Sequence, residues 1–134
     1  MDYAQKSIQS SLHLEKLVFD KIEFKRLGFA NENELEYELE SSIAQRKEDN
    51  IYRVTLSLKG KKPEEYIFEI SLVGFFAMEA DETISEEMRE KLVTRNTVAI
   101  LMPYLRSEVS LLTAQPEMEC VTLPVFNINR IMDE

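Results

Sequence analysis

Four stretches of the chain alternate between apolar and polar residues, the period at which successive side chains of a β-strand point to opposite faces. They cover residues 12–27, 34–43, 52–59 and 65–78. In the second stretch one side carries Leu35, Tyr37, Leu39 and Ile43, and the other carries Glu34, Glu36, Glu38 and Glu40. The connections between stretches are short, including turns at 47–50 and 60–63, so consecutive strands are expected to pair antiparallel.

Two places depart from the alternation. Within the first stretch, Leu17-Val18-Phe19 is apolar on both sides, which indicates either a β-bulge or a segment covered on both faces. The fourth stretch ends in an apolar run, 73–78, which predicts that both faces of the sheet are covered there.

The C-terminal part has the period of a helix. Thr83-Ile84-Ser85-Glu86 has the form of a capping box, and apolar residues then recur every three or four positions as far as Leu112. The cluster at 94–97 predicts a kink or break, because β-branched residues are poor helix formers. Pro103 lies inside the pattern, at a cost of about 3 kcal/mol that packing must offset.

The remaining segments complete the predicted architecture. A loop is expected over 114–122, a short final helix from about Pro124, and a flexible arm over 1–11. Strands followed by helices are typical of an α+β fold. We therefore predict one domain over 12–134, a four-stranded antiparallel sheet packed by the long helix and the short final helix.

The composition limits the classes of function. The formal net charge is −9, and no Lys/Arg cluster offsets it, so nucleic-acid binding is not expected. The sequence has no apolar run long enough to cross a membrane, and its first residues predict no secretory signal. Its single cysteine, Cys120, fits a reducing compartment, and we expect a cytoplasmic protein.

Candidate catalytic chemistry is sparse, so an enzyme is not expected. The only histidine, His13, lies in a predicted strand, and Cys120 has no nearby histidine to activate it. A structural zinc site takes about four Cys or His ligands, and neither a metal nor a cofactor motif is present. We interpret the glutamates of 34–40 as a solvated face, with metal binding, a basic partner or a catalytic acidic pair as weaker alternatives.

Four motifs, in this order, resemble the SecB family of protein-export chaperones. They are Lys21-Ile22-Glu23-Phe24, the run 69–76 (EISLVGFF), the run 100–106 (ILMPYLR) and Leu123-Pro124-Val125. The resemblance implies a four-stranded antiparallel sheet backed by a long and a shorter helix. It also implies dimers or tetramers assembled through the first strand and the long helix, where the matching residues are Leu17, Phe19, Pro103, Tyr104 and Arg106.

The resemblance further implies an apolar groove that binds unfolded polypeptides. Its matching residues are Phe29, Leu35, Tyr37, Met118, Val121, Leu123 and Phe126. Independently of the resemblance, apolar residues in predicted loops indicate a surface that packs onto something. A SecB-like chaperone that holds unfolded clients, possibly in export, is therefore the first hypothesis.

The second hypothesis is a dedicated partner protein on the same fold, such as a chaperone of one antitoxin. In the family the SecA motor docks on the outer sheet surface, at positions matched by Ile67 and Glu69. Two acidic docking positions on the first strand fall at Lys21 and Lys25, which reverses their charge. This departure favours a divergent member without SecA coupling.

Overall fold

The computed structural model describes residues 12–46, 48, 50–78 and 85–124. Its elements are β1 (Leu12–Arg26), β2 (Glu36–Arg46), β3 (Ile51–Lys62), β4 (Tyr66–Met78) and the helix α1 (Glu86–Thr113). The strands form one antiparallel sheet in the order β1-β4-β3-β2, with α1 packed against it. The predicted α+β class and four-stranded sheet are confirmed.

The core lies between α1 and one face of the sheet, which we call the inner face. The two central strands, β3 and β4, direct their even-numbered residues to this face, and the apolar ones are buried: Tyr52, Val54, Leu56, Leu58, Tyr66, Phe68, Ile70, Leu72, Phe76 and Met78. Fully burying an aliphatic or aromatic side chain of this size stabilises the fold by about 1.5–3 kcal/mol. The helix contributes Val98, Leu101, Leu105 and Val109 to the same cluster.

Gly74 allows α1 to approach β4 closely. A Cβ atom at this position would lie 2.7 Å from Cδ2 of Leu101. The run 73–78 is covered on the inner face by this contact, but Phe75 and Ala77 on the opposite, outer face are only half-buried. Val73, also on the outer face, is buried. The predicted cover is therefore complete on the inner face and partial on the outer one.

Two β-bulges explain the irregular first strand. The register of β1 against β4 shifts between Leu14 and Lys16 and again between Phe19 and Lys21. Each extra residue returns the next apolar residues to the inner face, so Leu17 and Phe19 share that face while Val18 lies on the outer one. The sequence indicated either a β-bulge or a segment covered on both faces, and the structure shows β-bulges.

The turn between β3 and β4 lies later than the sequence indicates. Gly60 was expected in a turn with Pro63, but β3 continues through Lys62 and Gly60 is a buried strand residue. The turn is closed by the Glu65 amide, which donates to the Lys62 carbonyl at 3.0 Å, with Glu64 at φ 66°. Pro followed by a residue at positive φ matches a type II turn.

The helix is continuous from Glu86 to Thr113, so of the kink or break predicted at 94–97 the break is wrong. The Thr94 and Thr97 hydroxyls donate to the carbonyls of Glu90 and Thr94, within the helix itself. Its N-cap is Ser85, whose hydroxyl accepts from the Met88 amide at 3.2 Å. No helix among the described residues has the length and apolar character needed to cross a membrane. The predicted arm 1–11 and nearly all of the final helix lie outside the described residues.

Candidate polypeptide-binding surface

The segment joining β1 to β2, residues 27–35, is fixed to the β3–β4 turn. The amides of Leu27 and Gly28 both donate to the Glu65 carbonyl, at 2.7 and 3.1 Å. The side-chain amides of Asn31 and Asn33 both donate to the Pro63 carbonyl, at 3.0 and 2.8 Å. This segment, which we call the first connection, is therefore held at both ends by backbone and side-chain hydrogen bonds.

The Glu65 carboxylate lies beneath the first connection. Oε1 contacts Nζ of Lys62 at 2.8 Å and accepts from the Asn31 amide at 3.1 Å. Burial acts to raise the pKa of Glu65, but the hydrogen bonds from Lys62 and Asn31 and the nearby cations outweigh it and lower that pKa. The charged form of Glu65 therefore anchors the connection.

Arg26 joins the first connection to the loop after α1, residues 114–124, which we call the late loop. Its Nε donates to the Gly28 carbonyl at 2.9 Å, and its two terminal nitrogens donate to the carbonyls of Pro116 and Glu117 at 3.3 and 2.9 Å. One rigid guanidinium thus sets the separation of the two segments.

The late loop returns along the last turns of α1. The Ser110 hydroxyl donates to the Val121 carbonyl at 2.9 Å, and the Val121 amide donates to the Thr113 hydroxyl at 2.8 Å. One turn earlier in the helix, Nε of Arg106 donates to the Leu123 carbonyl at 3.2 Å. These bonds hold the loop against the end of the core.

An aromatic row crosses the inner face between these segments. Phe24 pairs with Phe68, Phe68 with Gly60, and Gly60 with Tyr37. The Phe68 ring lies over Gly60, where a Cβ atom would be 2.2 Å from the ring. Tyr66 stacks on both phenylalanines, with ring centroids 5.3 Å from Phe24 and 6.1 Å from Phe68. Burial, with the charges of Glu65 and Glu119, raises the pKa of Tyr66.

The predicted client-binding residues occupy three environments. Phe29 is 88% exposed and Tyr37 is exposed at the end of the aromatic row, whereas Leu35, Met118 and Val121 are half-buried against the core. Leu123 is a core residue with 2% of its surface exposed, so its assignment to the binding surface is corrected. Phe126 lies outside the described residues.

The residues assigned to an oligomer interface lie on two elements. Leu17 and Phe19 are half-buried on the inner face of β1, and Pro103 and Tyr104 are exposed on α1. Arg106 is half-buried, and its contact with the Leu123 carbonyl gives it a role within the chain. Four exposed apolar residues that the sequence reasoning missed extend the two sets: Leu14 and Ile22 on β1, and Ile100 and Leu111 on α1.

The two positions matched to SecA docking lie on the outer face of β4. Ile67 is exposed, and Glu69 contacts Nζ of Lys21 at 2.6 Å and Nζ of Lys59 at 4.0 Å. The hydrogen bond from Lys21 lowers the pKa of Glu69, and the same bond raises the pKa of Lys21. The reversed charge at Lys21 therefore neutralises the acidic position on β4.

The described residues contain no group of three or more His, Cys, Asp or Glu side chains placed to hold a metal ion. His13 lies on β1, paired with Ala77, and Cys120 lies exposed in the late loop, with Sγ 3.4 Å from the Ser110 carbonyl. The exposed and half-buried side chains of the first connection and the late loop include the apolar residues Phe29, Leu35, Met118 and Val121.

Comparison with known proteins identifies the fold. No protein-family model matches the chain, and no curated protein matches its sequence. The solved SecB-like chaperone Rv1957 of Mycobacterium tuberculosis, in complex with a ChAD peptide from the Rv1956 HigA1 antitoxin, superposes with a TM-score of 0.67. The two chains are 16% identical, over 88% of this chain and 92% of that one.

A protein of unknown function from Streptococcus agalactiae superposes with a TM-score of 0.49, at 12% identity over 85% of this chain and 97% of that one. The match to the mycobacterial chaperone covers most of both chains. The chain therefore has the α+β fold of the SecB-like chaperones, as its sequence motifs predicted.

Proposed function

We propose that this protein is a chaperone that binds extended, non-native polypeptides along the first connection, the aromatic row and the late loop. The SecB-like fold supports the proposal, as does the antitoxin peptide in complex with the mycobacterial SecB-like chaperone. The observation that carries it is Phe29, which is 88% exposed although hydrogen bonds fix the backbone on both sides of it. When a client covers this ring, apolar surface is removed from water, and this favours binding.

The proposed activity is binding without a chemical step. An extended client presents side chains alternately to either side, so every second apolar residue can pack on the exposed rings. Contacts of this kind depend on apolar area rather than on sequence, which suits a chaperone for unfolded chains. We place this activity in the cytoplasm, on the basis of the single cysteine.

Suppression of aggregation tests the proposal. We expect the wild-type protein to suppress light scattering by a chemically denatured protein at near-stoichiometric amounts. Phe29→Ser should bind the client about tenfold more weakly, the factor expected when one apolar side chain is no longer buried. The matched control is Met88→Ser, which removes an exposed apolar side chain in the first turns of α1. A folded wild-type protein that fails to suppress aggregation contradicts the proposal.

We further propose that the chaperone is a homodimer or homotetramer assembled through β1 and α1. Apolar side chains on β1 and on the exposed side of α1 support this, with Tyr104 47% exposed. Sedimentation should give a multiple of the 15.6 kDa chain mass, and Tyr104→Asp should shift it toward the monomer. A monomeric wild-type protein contradicts this assembly.

A dedicated client without SecA coupling is the second candidate for the function. The observation that favours it is the contact of Lys21 with Glu69, which removes the negative charge available to a basic partner. Affinity capture of the intact protein from cell extract distinguishes the candidates. One dominant client supports the dedicated function, whereas a broad set of unfolded chains supports a general chaperone, including one that acts in export.

A further inference from the structure

The hydroxyl of Tyr66 is buried and has no hydrogen-bond partner among the described residues. The residue keeps 1% of its surface exposed, and its ring stacks on Phe24 and Phe68 of the aromatic row. Phenylalanine would pack in the same way, and a buried hydroxyl that makes no hydrogen bond destabilises the folded chain. This unsatisfied group therefore indicates a contact that forms only when something binds.

Tyr66 lies in the sheet beside the two residues that hold the first connection and the late loop. It pairs with Arg26 of β1 on one side and with Lys62 of β3 on the other. Burial and the charges of Glu65, beneath the first connection, and Glu119, in the late loop, raise the pKa of Tyr66. The hydroxyl is therefore near both segments, and at neutral pH it is protonated and able to donate.

The tip of the late loop, residues 116–119, is held from outside the loop by one side chain. Arg26 donates to the carbonyls of Pro116 and Glu117, and the tip makes no hydrogen bond to any other element of the described chain. Glu117 has φ 63°, which is unfavourable for a residue other than glycine. The tip can therefore move while residues 121–123 keep their bonds to α1.

We propose that the Tyr66 hydroxyl donates a hydrogen bond to a backbone carbonyl of the client when the tip moves aside. This inference rests on the proposed function and assigns one polar contact within that apolar surface. An extended client carries a carbonyl at every residue, and none of them is paired within the client itself. A carboxylate acceptor would instead be repelled by Glu65 and Glu119. The contact requires an exposed backbone and no particular side chain, which suits a chaperone for non-native chains.

Two tyrosine variants test whether the hydroxyl is without a partner in the free protein. In urea unfolding, Tyr66→Phe should have a midpoint equal to or above that of the wild type, because no hydrogen bond is lost. The matched control is Tyr52→Phe, at an equally buried tyrosine whose hydroxyl interacts with the side chain of Arg89, and its midpoint should fall. A lower midpoint or an unfolded protein for Tyr66→Phe overturns the proposal, since the hydroxyl then stabilises the free chain.

Fluorescence anisotropy with a labelled peptide in which Phe and Leu alternate with Ser measures the contact with a client. Tyr66→Phe should bind this peptide about fivefold more weakly than the wild type, the factor for one neutral hydrogen bond. Tyr52→Phe should bind it as the wild type does. Equal binding by wild type and Tyr66→Phe overturns this inference and leaves the proposed chaperone function standing. A wild-type protein that does not bind the peptide overturns both.

Association kinetics with the same peptide test the movement of the tip. Arg26→Leu removes the bonds that hold the tip, while the amides of Leu27 and Gly28 still fix the first connection. The peptide should therefore associate with this variant at least about threefold faster than with the wild type. Lys25→Leu, at the adjacent exposed position, should leave the rate unchanged. A rate that is unchanged or slower in Arg26→Leu overturns the proposal, because Tyr66 is closed to a client while the tip stays in place.

Discussion

Glu65 and Lys62 form an ion pair of 2.8 Å across the β3–β4 turn, with side-chain exposures of 1% and 11%. The same Glu65 oxygen accepts the Asn31 amide, so the pair joins the turn to the first connection. A charge removed from water in this way is favourable only while its partners are in place. The position of Phe29 in the connection therefore depends on the charge state of a buried glutamate.

Glu65→Gln should lower the free energy of unfolding by about 2–3 kcal/mol, because it leaves the ammonium of Lys62 without its counter-charge. Urea unfolding at neutral pH measures the change. The matched control is Glu64→Gln, an exposed neighbour in the same turn, for which we expect less than about 0.5 kcal/mol. An equal loss of unfolding free energy in the two variants would show that the ion pair does not stabilise the fold.

Stability should also depend on pH through Glu65. Its pKa in the folded protein is lower than the ordinary value of 4.5, so its contribution is complete above that value and is lost as pH falls through the folded pKa. The difference in unfolding free energy between wild type and Glu65→Gln should thus be constant near neutrality and shrink in acid. Urea titrations from about pH 7 to about pH 3 measure it. If the difference in unfolding free energy between the two proteins stays the same in acid, Glu65 is not the group responsible for this pH dependence.

The sheet was predictable because its signal is local. Alternation along β2 and β4 follows from the pleat, and the structure keeps the predicted faces. Gly60 misled the prediction because a glycine signals a turn unless a distant side chain needs the space, and the ring of Phe68 is such a side chain. Thr94 and Thr97 led to the prediction of a helix break, but their hydroxyls donate to carbonyls within the helix.

The candidate site was predictable only in part. Loop position alone cannot separate Phe29, which faces water, from Leu123, which enters the core, because both are apolar residues outside regular elements. Arg26 was missed because its partners are main-chain carbonyls, two of them about 90 residues away, and carbonyls leave no mark in the sequence. The sequence feature that could have indicated this role is an arginine, Arg26, near the end of a predicted strand and two residues before Gly28.

Arg26→Leu should release the late loop from the first connection. Two charge-assisted hydrogen bonds to the carbonyls of Pro116 and Glu117 are lost, so amide hydrogen exchange at Met118 and Val121 should quicken about tenfold or more. Lys25→Leu, at the adjacent exposed position, should leave exchange in the loop unchanged. Arg26→Lys should be intermediate, because one ammonium cannot span three carbonyls. Unchanged exchange in Arg26→Leu contradicts this role.

Gly60→Ala should disturb the aromatic row directly. The new methyl group would lie 2.2 Å from Cζ of Phe68, so the ring must move away from position 60, and its stacking on Tyr66 changes. Overpacking of this kind costs about 1–3 kcal/mol of unfolding free energy. We expect a loss in that range by urea unfolding, with weaker client binding because the surface between Phe24 and Tyr37 changes shape.

The double variant Gly60→Ala with Phe68→Leu isolates this contact. Leucine lacks the part of the ring that meets the methyl group, so the double variant should be less destabilised than the sum of the two single changes. A coupling energy of about 1 kcal/mol or more is expected in a cycle of four urea unfolding curves. Additive costs would mean that Gly60 is required for its backbone alone, and the inferred contact between Gly60 and the aromatic row would then be wrong.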